Sequence, residues 1–168
     1  AVTKRILITG GRGYIGAALC QHLGGRSDLE VTLVDSGAGR AWDWRYSYHI
    51  PYQVVTSLEV VPARFDVIVH LAAHSSVPAC QDDPVGAWAN NVTGFAALLD
   101  RLHPEQRLIY ASSGSVYHNS PALLEVYMGL ARERGALAMP LALYDLTKRT
   151  MDDLARLAGK DCYGLRFG

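Results

Sequence analysis

The chain has few cysteines, no excess of either charge and no long apolar run, and each shortage removes a class of protein. Cys20, Cys80 and Cys162 are the three cysteines among 168 residues. They are far apart, odd in number and never form a C-x-x-C pair. That excludes a disulfide framework and argues against a structural zinc site, so no residue is assigned to a metal. A reducing, cytoplasmic compartment is the default expectation. Lys plus Arg number 16 and Asp plus Glu number 16, for a formal net charge of zero. There is no basic footprint for nucleic acid and no acidic tail. No apolar run approaches the ~18 residues of a membrane span. The opening Ala1-Val2-Thr3-Lys4-Arg5 lacks the longer apolar stretch and the small-residue cleavage site of a secretory leader. Repeats, low-complexity tracts and linkers are absent too. What remains is 49% hydrophobic and 19% charged, an ordinary globular composition. The length suits one domain over residues 1–168 and is enough to bury about two-thirds of the unfolded surface.

Short β-branched runs alternate with amphipathic ones. Arg5–Thr9, Val31–Val34, Asp66–Leu71 and Arg107–Ala111 read as strands buried on both faces. Gln53–Thr56 reads as a shorter strand and Cys162–Phe167 as the last. Helices are predicted over Tyr14–Leu23, with Ile15, Ala18, Leu19 and His22 on the apolar face, then over about 84–102, 121–134 and Leu143–Leu157. Residues 37–51 carry Trp42, Trp44 and Tyr46 without clear periodicity. The alternation indicates an α/β fold, a parallel sheet with helices on both faces, doubly wound in the Rossmann manner.

Thr9-Gly10-Gly11-Arg12-Gly13-Tyr14-Ile15-Gly16 joins the first strand to the first helix. Glycine permits positive φ and lets backbone N–H groups approach a pyrophosphate. The helix N-terminus adds unpaired donors and partial positive charge. Two registers are open: Gly11, Gly13 and Gly16 fit G-x-G-x-x-G, and Gly10, Gly13 and Gly16 fit G-x-x-G-x-x-G. Asp35 closes the second strand near the ~20-residue offset of a ribose-binding acid. A carboxylate there accepts from ribose hydroxyls and repels a 2′-phosphate, which favours NAD over NADP. Arg12 and Arg40 keep NADP in play, because guanidinium pairs with phosphate. A glycine turn without ligand is the bland alternative, and the absence of Gly-Lys-Ser/Thr excludes a Walker-type loop.

Tyr144 and Lys148 lie four residues apart in a predicted helix, so both project from one face. An ammonium beside a phenol favours the phenolate, which makes the tyrosine a usable acid/base. The lysine can also reach a ribose. A surface pair is the bland alternative. Ser112, Ser113 and Ser115 follow the strand 107–111, where ligands of parallel sheets bind. Strand-end turn chemistry is the alternative for them.

Taken together, these segments resemble the N-terminal, cofactor-binding part of an extended short-chain dehydrogenase/reductase of the NAD-dependent epimerase/dehydratase type. The segments that carry the likeness, besides the glycine loop, are Val34-Asp35, His70-Leu71-Ala72-Ala73, Asn90-Asn91-Val92-Thr93-Gly94, Ala111 to Tyr117 and Tyr144-Asp145-Leu146-Thr147-Lys148. They occur in family order along almost the whole chain. The resemblance implies that Gly10, Gly13 and Gly16 hold the pyrophosphate with backbone contacts from Tyr14 and Ile15. It implies Asp35 on the adenosine ribose, Leu71, Ala72 and Ala73 along the cofactor groove, and Asn90 on the cofactor, with Asn91 structural. Tyr144 is the implied acid/base, Lys148 its electrostatic partner and a ribose ligand, and Ser113 the hydroxyl that orients a sugar. His70 is expected in the core, hydrogen-bonded and not a metal ligand; His74 and Ser75 are expected on the loop facing substrate.

The implied chemistry is removal of a proton from a sugar hydroxyl by Tyr144 while NAD takes the hydride from that carbon. Sugar 4,6-dehydratases of this family carry acidic residues just after the strand-end hydroxyl. Gly114 and Ser115 stand there instead, which favours epimerase-like or simple redox chemistry on a nucleotide sugar. His118, the helical-looking 121–139 and Thr56-Ser57 depart from the family pattern. After Phe167 the family continues into a smaller substrate domain, so the chain is expected to be either a fragment of a longer enzyme or a naturally short cofactor-binding protein. A non-catalytic dinucleotide-binding module and a ketone or aldehyde reductase of the same superfamily are the competing readings. The resemblance also suggests a homodimer through the helices near 84–102 and 143–157.

Overall fold

The computed structural model describes residues 3–37, 52–54, 65–117 and 142–168. The expected helix over 121–134, the aromatic stretch from residue 38 to 51 and Thr56-Ser57 lie outside these residues. In chain order the elements are β1 (Lys4–Thr9), α1 (Tyr14–Leu23), β2 (Leu29–Asp35), β3 (Tyr52–Val54), β4 (Val67–His70), α2 (Val77–Asp82), α3 (Pro84–Trp88) and α4 (Gly94–Arg101). Then follow β5 (Arg107–Ser113), α5 (Leu143–Ala158) and β6 (Cys162–Phe167).

The strands form one six-stranded sheet in the order β3-β2-β1-β4-β5-β6, and every neighbouring pair is parallel. The chain builds outward from β1 to β3, then returns to place β4 against the other edge of β1. Thr9 and His70 are paired at the carboxyl ends of those two strands. This reversal opens a crevice above β1 and β4, the usual ligand position in open parallel sheets.

Alternation along β1, β2 and β4 feeds two cores. Leu7 and Ile68 point to one face, packing with Phe95, Leu98, Leu108 and Met151. Ile8 and Val69 point to the other, with Cys20, Val31 and Leu33. A sheet covered on both faces needs apolar residues at consecutive positions, which is why its strands read as continuous runs.

Two helical expectations are corrected. The buried side of α1 is Gly16, Ala17 and Cys20, whereas Ala18 and His22 face solvent and Ile15 and Leu19 are half-buried. Small side chains let the helix approach the strands closely, and Leu19, as expected, packs with Leu23 at the margin of that contact. The helix expected over 84–102 is α3 and α4 joined by a π-helical turn, Ala89–Thr93. Before it, α2 occupies part of the segment between β4 and α3, where no helix is expected; Ser76 Oγ accepts the Ala79 N–H at its start. Asp83 caps α3 through the Gly86 N–H. At the far end, Lys160 Nζ donates to the carbonyls of Leu99, Asp100 and Leu102 at 2.5, 3.3 and 2.8 Å. One ammonium thus gathers three carbonyls at the C-terminal end of α4, where the helix leaves acceptor capacity.

Candidate active site

The glycine loop is shaped by backbone contacts. Gly10 has φ +68°, and a Cβ there would lie 2.6 Å from Ala72 N. Gly16 sits so near the loop that a Cβ would lie 2.3 Å from Gly10 O. Gly10 N–H donates to Val34 O at 2.8 Å and Gly13 N–H to Gly10 O at 3.1 Å. A Cβ on Gly11 would instead meet the end of the Leu33 side chain. Gly13 is only tight, a Cβ there lying 3.3 Å from Gly10 O, so the backbone excludes a side chain at Gly10 and Gly16 and favours the register that begins at Gly10. Gly13 caps α1 without a side chain, and no acidic residue stands in the first turn. Tyr14 and Ile15 are the first two residues of the helix that follows.

Asp35 closes β2 beside this loop. Its Oδ2 accepts the Arg12 N–H at 3.0 Å and its Oδ1 the Gly37 N–H at 2.9 Å. The carboxylate is thus fixed at the rim of the crevice, with acceptor capacity left for further hydroxyl donors.

On the β4 side, Leu71 N–H donates to Thr9 O at 3.0 Å and Ala72 N–H to Thr9 Oγ1 at 3.3 Å. Thr9 Oγ1 also shares a hydrogen bond of 2.8 Å with His70 Nδ1. His70 is a core residue, as expected, stacked obliquely near Phe95. Burial, reinforced by the Lys148 ammonium, pushes its pKa down from 6.5 to about 3. The folded protein therefore holds a neutral imidazole, while the unfolded chain protonates below pH 6.5. The contribution of His70 to stability is complete above that pH and is lost as pH falls from 6.5 toward 3. His70→Gln is expected to flatten this decline in a melting series across that window. Equal slopes in the two proteins would remove His70 as its source.

Asn91, completely buried in the π-turn, ties three elements together. Its Oδ1 accepts the His74 N–H at 2.8 Å, and its Nδ2 donates to His74 O at 3.1 Å and Thr147 Oγ1 at 3.2 Å. Thr147 in turn donates to Tyr144 O at 2.8 Å. The loop after β4 is thereby locked to the first turn of α5. Asn90 is exposed and donates to Asn91 Oδ1 at 3.2 Å. His74 lies 3.5 Å from Asp83, at the entrance to α3.

Ser113 ends β5, buried, with its Oγ accepting the Ser115 N–H at 3.2 Å. The strand runs two residues beyond its expected end, so Ser112 and Ser113 belong to it. Tyr144 and Lys148 stand in the first turns of α5, with Lys148 Nζ 5.9 Å from the Tyr144 ring centre. Lys148 is almost fully buried and donates to Ala111 O at 2.8 Å. Burial pulls its pKa from 10.5 to about 8, against the opposing pull of Asp152 and Cys80. Among the described residues, no cluster of His, Cys, Asp or Glu has the makings of a metal site. Thr9 and Thr147, which the motifs include without a role, take part in this architecture, as does Asp152, which did not stand out in the sequence.

Strand order, glycine loop, strand-end serine and Tyr–Lys helix together define a dinucleotide-fold protein of the short-chain dehydrogenase type. The model of the NAD dependent epimerase/dehydratase family matches residues 6–168, and the chain belongs to that family. It is 32% identical over 130 residues to UDP-glucose 4-epimerase of Mycolicibacterium smegmatis, covering 70% of this chain and 42% of that protein. UDP-glucose 4-epimerase 2 of Oryza sativa subsp. japonica is 29% identical over 173 residues, covering 91% of this chain and 40% of its own. Among solved structures, Thermus thermophilus UDP-glucose 4-epimerase in complex with NAD superposes with a TM-score of 0.75 at 27% identity. That match covers 98% of this chain and 55% of the other. The chain thus spans about two-fifths to half of the length of these relatives.

Proposed function

We propose that the chain is the NAD-binding part of a nucleotide-sugar epimerase-like oxidoreductase in which Tyr144 is the acid/base. The observation that carries this reading is the placement of Lys148. Its buried ammonium is held against β5 at Ala111 O, 5.9 Å from the Tyr144 ring and two residues before Ser113. The cofactor's fit is supported by the loop itself. The space a side chain would take at Gly10 and Gly16 is bounded by backbone, and Asp35 stands beside it as a ribose acceptor. The same relatives and structures, named for UDP-glucose and NAD, support the substrate class and the cofactor.

NAD, when bound, supplies the hydride acceptor and donor. The protein's own residues do the rest. Tyr144 takes the proton of a sugar hydroxyl and returns it, and the Lys148 charge supports the phenolate through that exchange. Ser113 orients the reacting hydroxyl. Gly13, Tyr14, Ile15 and Gly16 present backbone to the pyrophosphate, Leu71, Ala72 and Ala73 line the groove, and Asn90 reaches the cofactor. Gly114 and Ser115 offer no second carboxylate for elimination, which supports epimerisation or simple redox over dehydration. Pairing of two copies through the helices near 84–102 and 143–157 belongs to the same proposal. It is supported by exposed Val85, Trp88 and Leu146 on those helices.

The test is NAD binding by calorimetry together with proton NMR of nucleotide hexoses incubated with the full-length protein. Conversion of one sugar into its epimer is expected, and NAD binding without change in any nucleotide sugar would overturn the enzymatic reading. Asp35→Ala is expected to weaken NAD by about tenfold, the usual cost of removing a hydrogen bond to a charged group. It is also expected to narrow the preference over NADP, since the repulsion of a 2′-phosphate goes with the carboxylate. Unchanged affinity for both dinucleotides would defeat the ribose assignment.

A further inference from the structure

On α5, Asp152 follows Lys148 by four residues and Tyr144 by eight, so the three share one stripe of the helix. The Asp152 carboxylate collects donors from two strands. Tyr110 OH donates to Oδ1 at 2.8 Å, and Ser112 Oγ donates to Oδ2 at 2.9 Å. From β6, Arg166 donates to Oδ2 through Nη2 at 2.8 Å and Nε at 3.3 Å. The Asp152 and Arg166 side chains are only 12% and 17% exposed. Arg166 also donates to the Tyr117 hydroxyl and lies 4.6 Å over that ring, which extends the cluster to the turn after Ser113.

Tyr110 and Ser112 flank Ala111, whose carbonyl accepts from Lys148. Helix α5 therefore grips the end of β5 at two points, the Lys148 ammonium and the Asp152 carboxylate, just before Ser113. We propose that Asp152 is the positioning residue that sets the register of Tyr144 and Lys148 against the end of β5. This rests on the functional reading above and adds a residue to it that never touches substrate or cofactor. Burial raises the Asp152 pKa, while the donated hydrogen bonds of Tyr110 and Ser112 and the charge of Lys148 favour its ionised form. The groups facing Lys148 are Asp152 on its own helix, Cys80 on α2 and His70 on β4.

The test uses the full-length protein as Asp152→Asn, Tyr110→Phe, Ser112→Ala and, as the conservative variant, Asp152→Glu. Asp152→Asn is expected to lower kcat about 10²-fold, the cost of a roughly 1 Å misplacement. NAD affinity should stay within about threefold, because the glycine loop is built from other elements. Asp152→Glu should regain part of the lost kcat. Tyr110→Phe and Ser112→Ala, each removing one donor, should lower kcat about three- to tenfold without raising KM. If Asp152→Asn does not fold, these two decide, and kcat unchanged in both overturns the proposal. So does kcat unchanged in a folded Asp152→Asn protein, or a loss of kcat matched by an equal loss of NAD binding. A readout independent of turnover is the Lys148 side-chain titration followed by NMR. Its midpoint near 8 should move down by about one unit once the facing carboxylate is neutral. If Tyr144→Phe leaves turnover intact, the functional reading fails by itself. The titration then judges the placement of Asp152 alone: an unmoved midpoint overturns it and a lowered one upholds it.

Discussion

Tyr144→Phe in the full-length protein is expected to lower kcat by about 10²–10⁴-fold, the range that one positioned proton donor and acceptor contributes. The expectation follows from what the substitution leaves alone. Tyr144 stands in the first turn of α5 and is half-buried, so the phenylalanine ring keeps its packing. Its carbonyl still accepts from Thr147, so the link through Asn91 to the β4 loop survives. Lys148 remains on Ala111 O. Only the hydroxyl goes, and with it the group that exchanges a proton with the sugar. NAD affinity should change by less than about threefold, because Asp35 and the glycine loop lie on β1, β2 and α1. The measurement is kcat and KM beside a calorimetric NAD titration on the same preparation. A variant whose kcat stays within about threefold of the parent would take Tyr144 out of the mechanism. Loss of NAD binding along with kcat would make it a cofactor-site residue instead.

The parts of this architecture that could be read in advance are those encoded locally. Strands buried on two faces leave unbroken apolar runs, so β1 and β4 were legible almost to the residue. The loop from Gly10 to Gly16 announces itself because close backbone approach tolerates few residue types. Tyr144 and Lys148 are joined by helix periodicity alone. What escaped is encoded by partners far apart. The buried side of α1 is set by how near the helix must come to the sheet, a tertiary demand that chose Gly16, Ala17 and Cys20 over Ala18 and His22. The π-turn at Ala89–Thr93 is visible only once Asn91 is seen bonding to His74 and Thr147, 17 and 56 residues away. Asp152 looks like one more surface acid on an amphipathic helix. Its partners Tyr110, Ser112 and Arg166 come from β5 and β6, and nothing in local spacing points from one to the others.

The same distinction gives the largest effect on folding. Gly16→Val is expected to destabilise the protein by about 3 kcal/mol, the upper end of overpacking in a close-packed site, and to abolish NAD binding. A Cβ at Gly16 would lie 2.3 Å from Gly10 O, 2.7 Å from Gly11 Cα and 3.0 Å from Gly11 C. All three are backbone atoms in a loop tied to β2 by Gly10 N–H on Val34 O and by Arg12 N–H on Asp35. Relief requires either α1 to lift from the sheet, opening the contact of buried Ala17 and Cys20, or the loop to turn away from the crevice. The first costs stability, the second the backbone N–H groups that would meet a pyrophosphate, and any compromise costs some of each. Gly11→Ala provides the contrast. Its Cβ would meet Leu33 Cδ2 at 2.9 Å, the far end of a flexible side chain, which can rotate aside, so a loss below about 1 kcal/mol is expected. Thermal melts should separate the pair by roughly 5–10 °C. Coincident melts with NAD binding retained in Gly16→Val would show that the loop yields where its backbone contacts say it cannot, and the close approach of α1 would then not be what holds the cofactor loop in place.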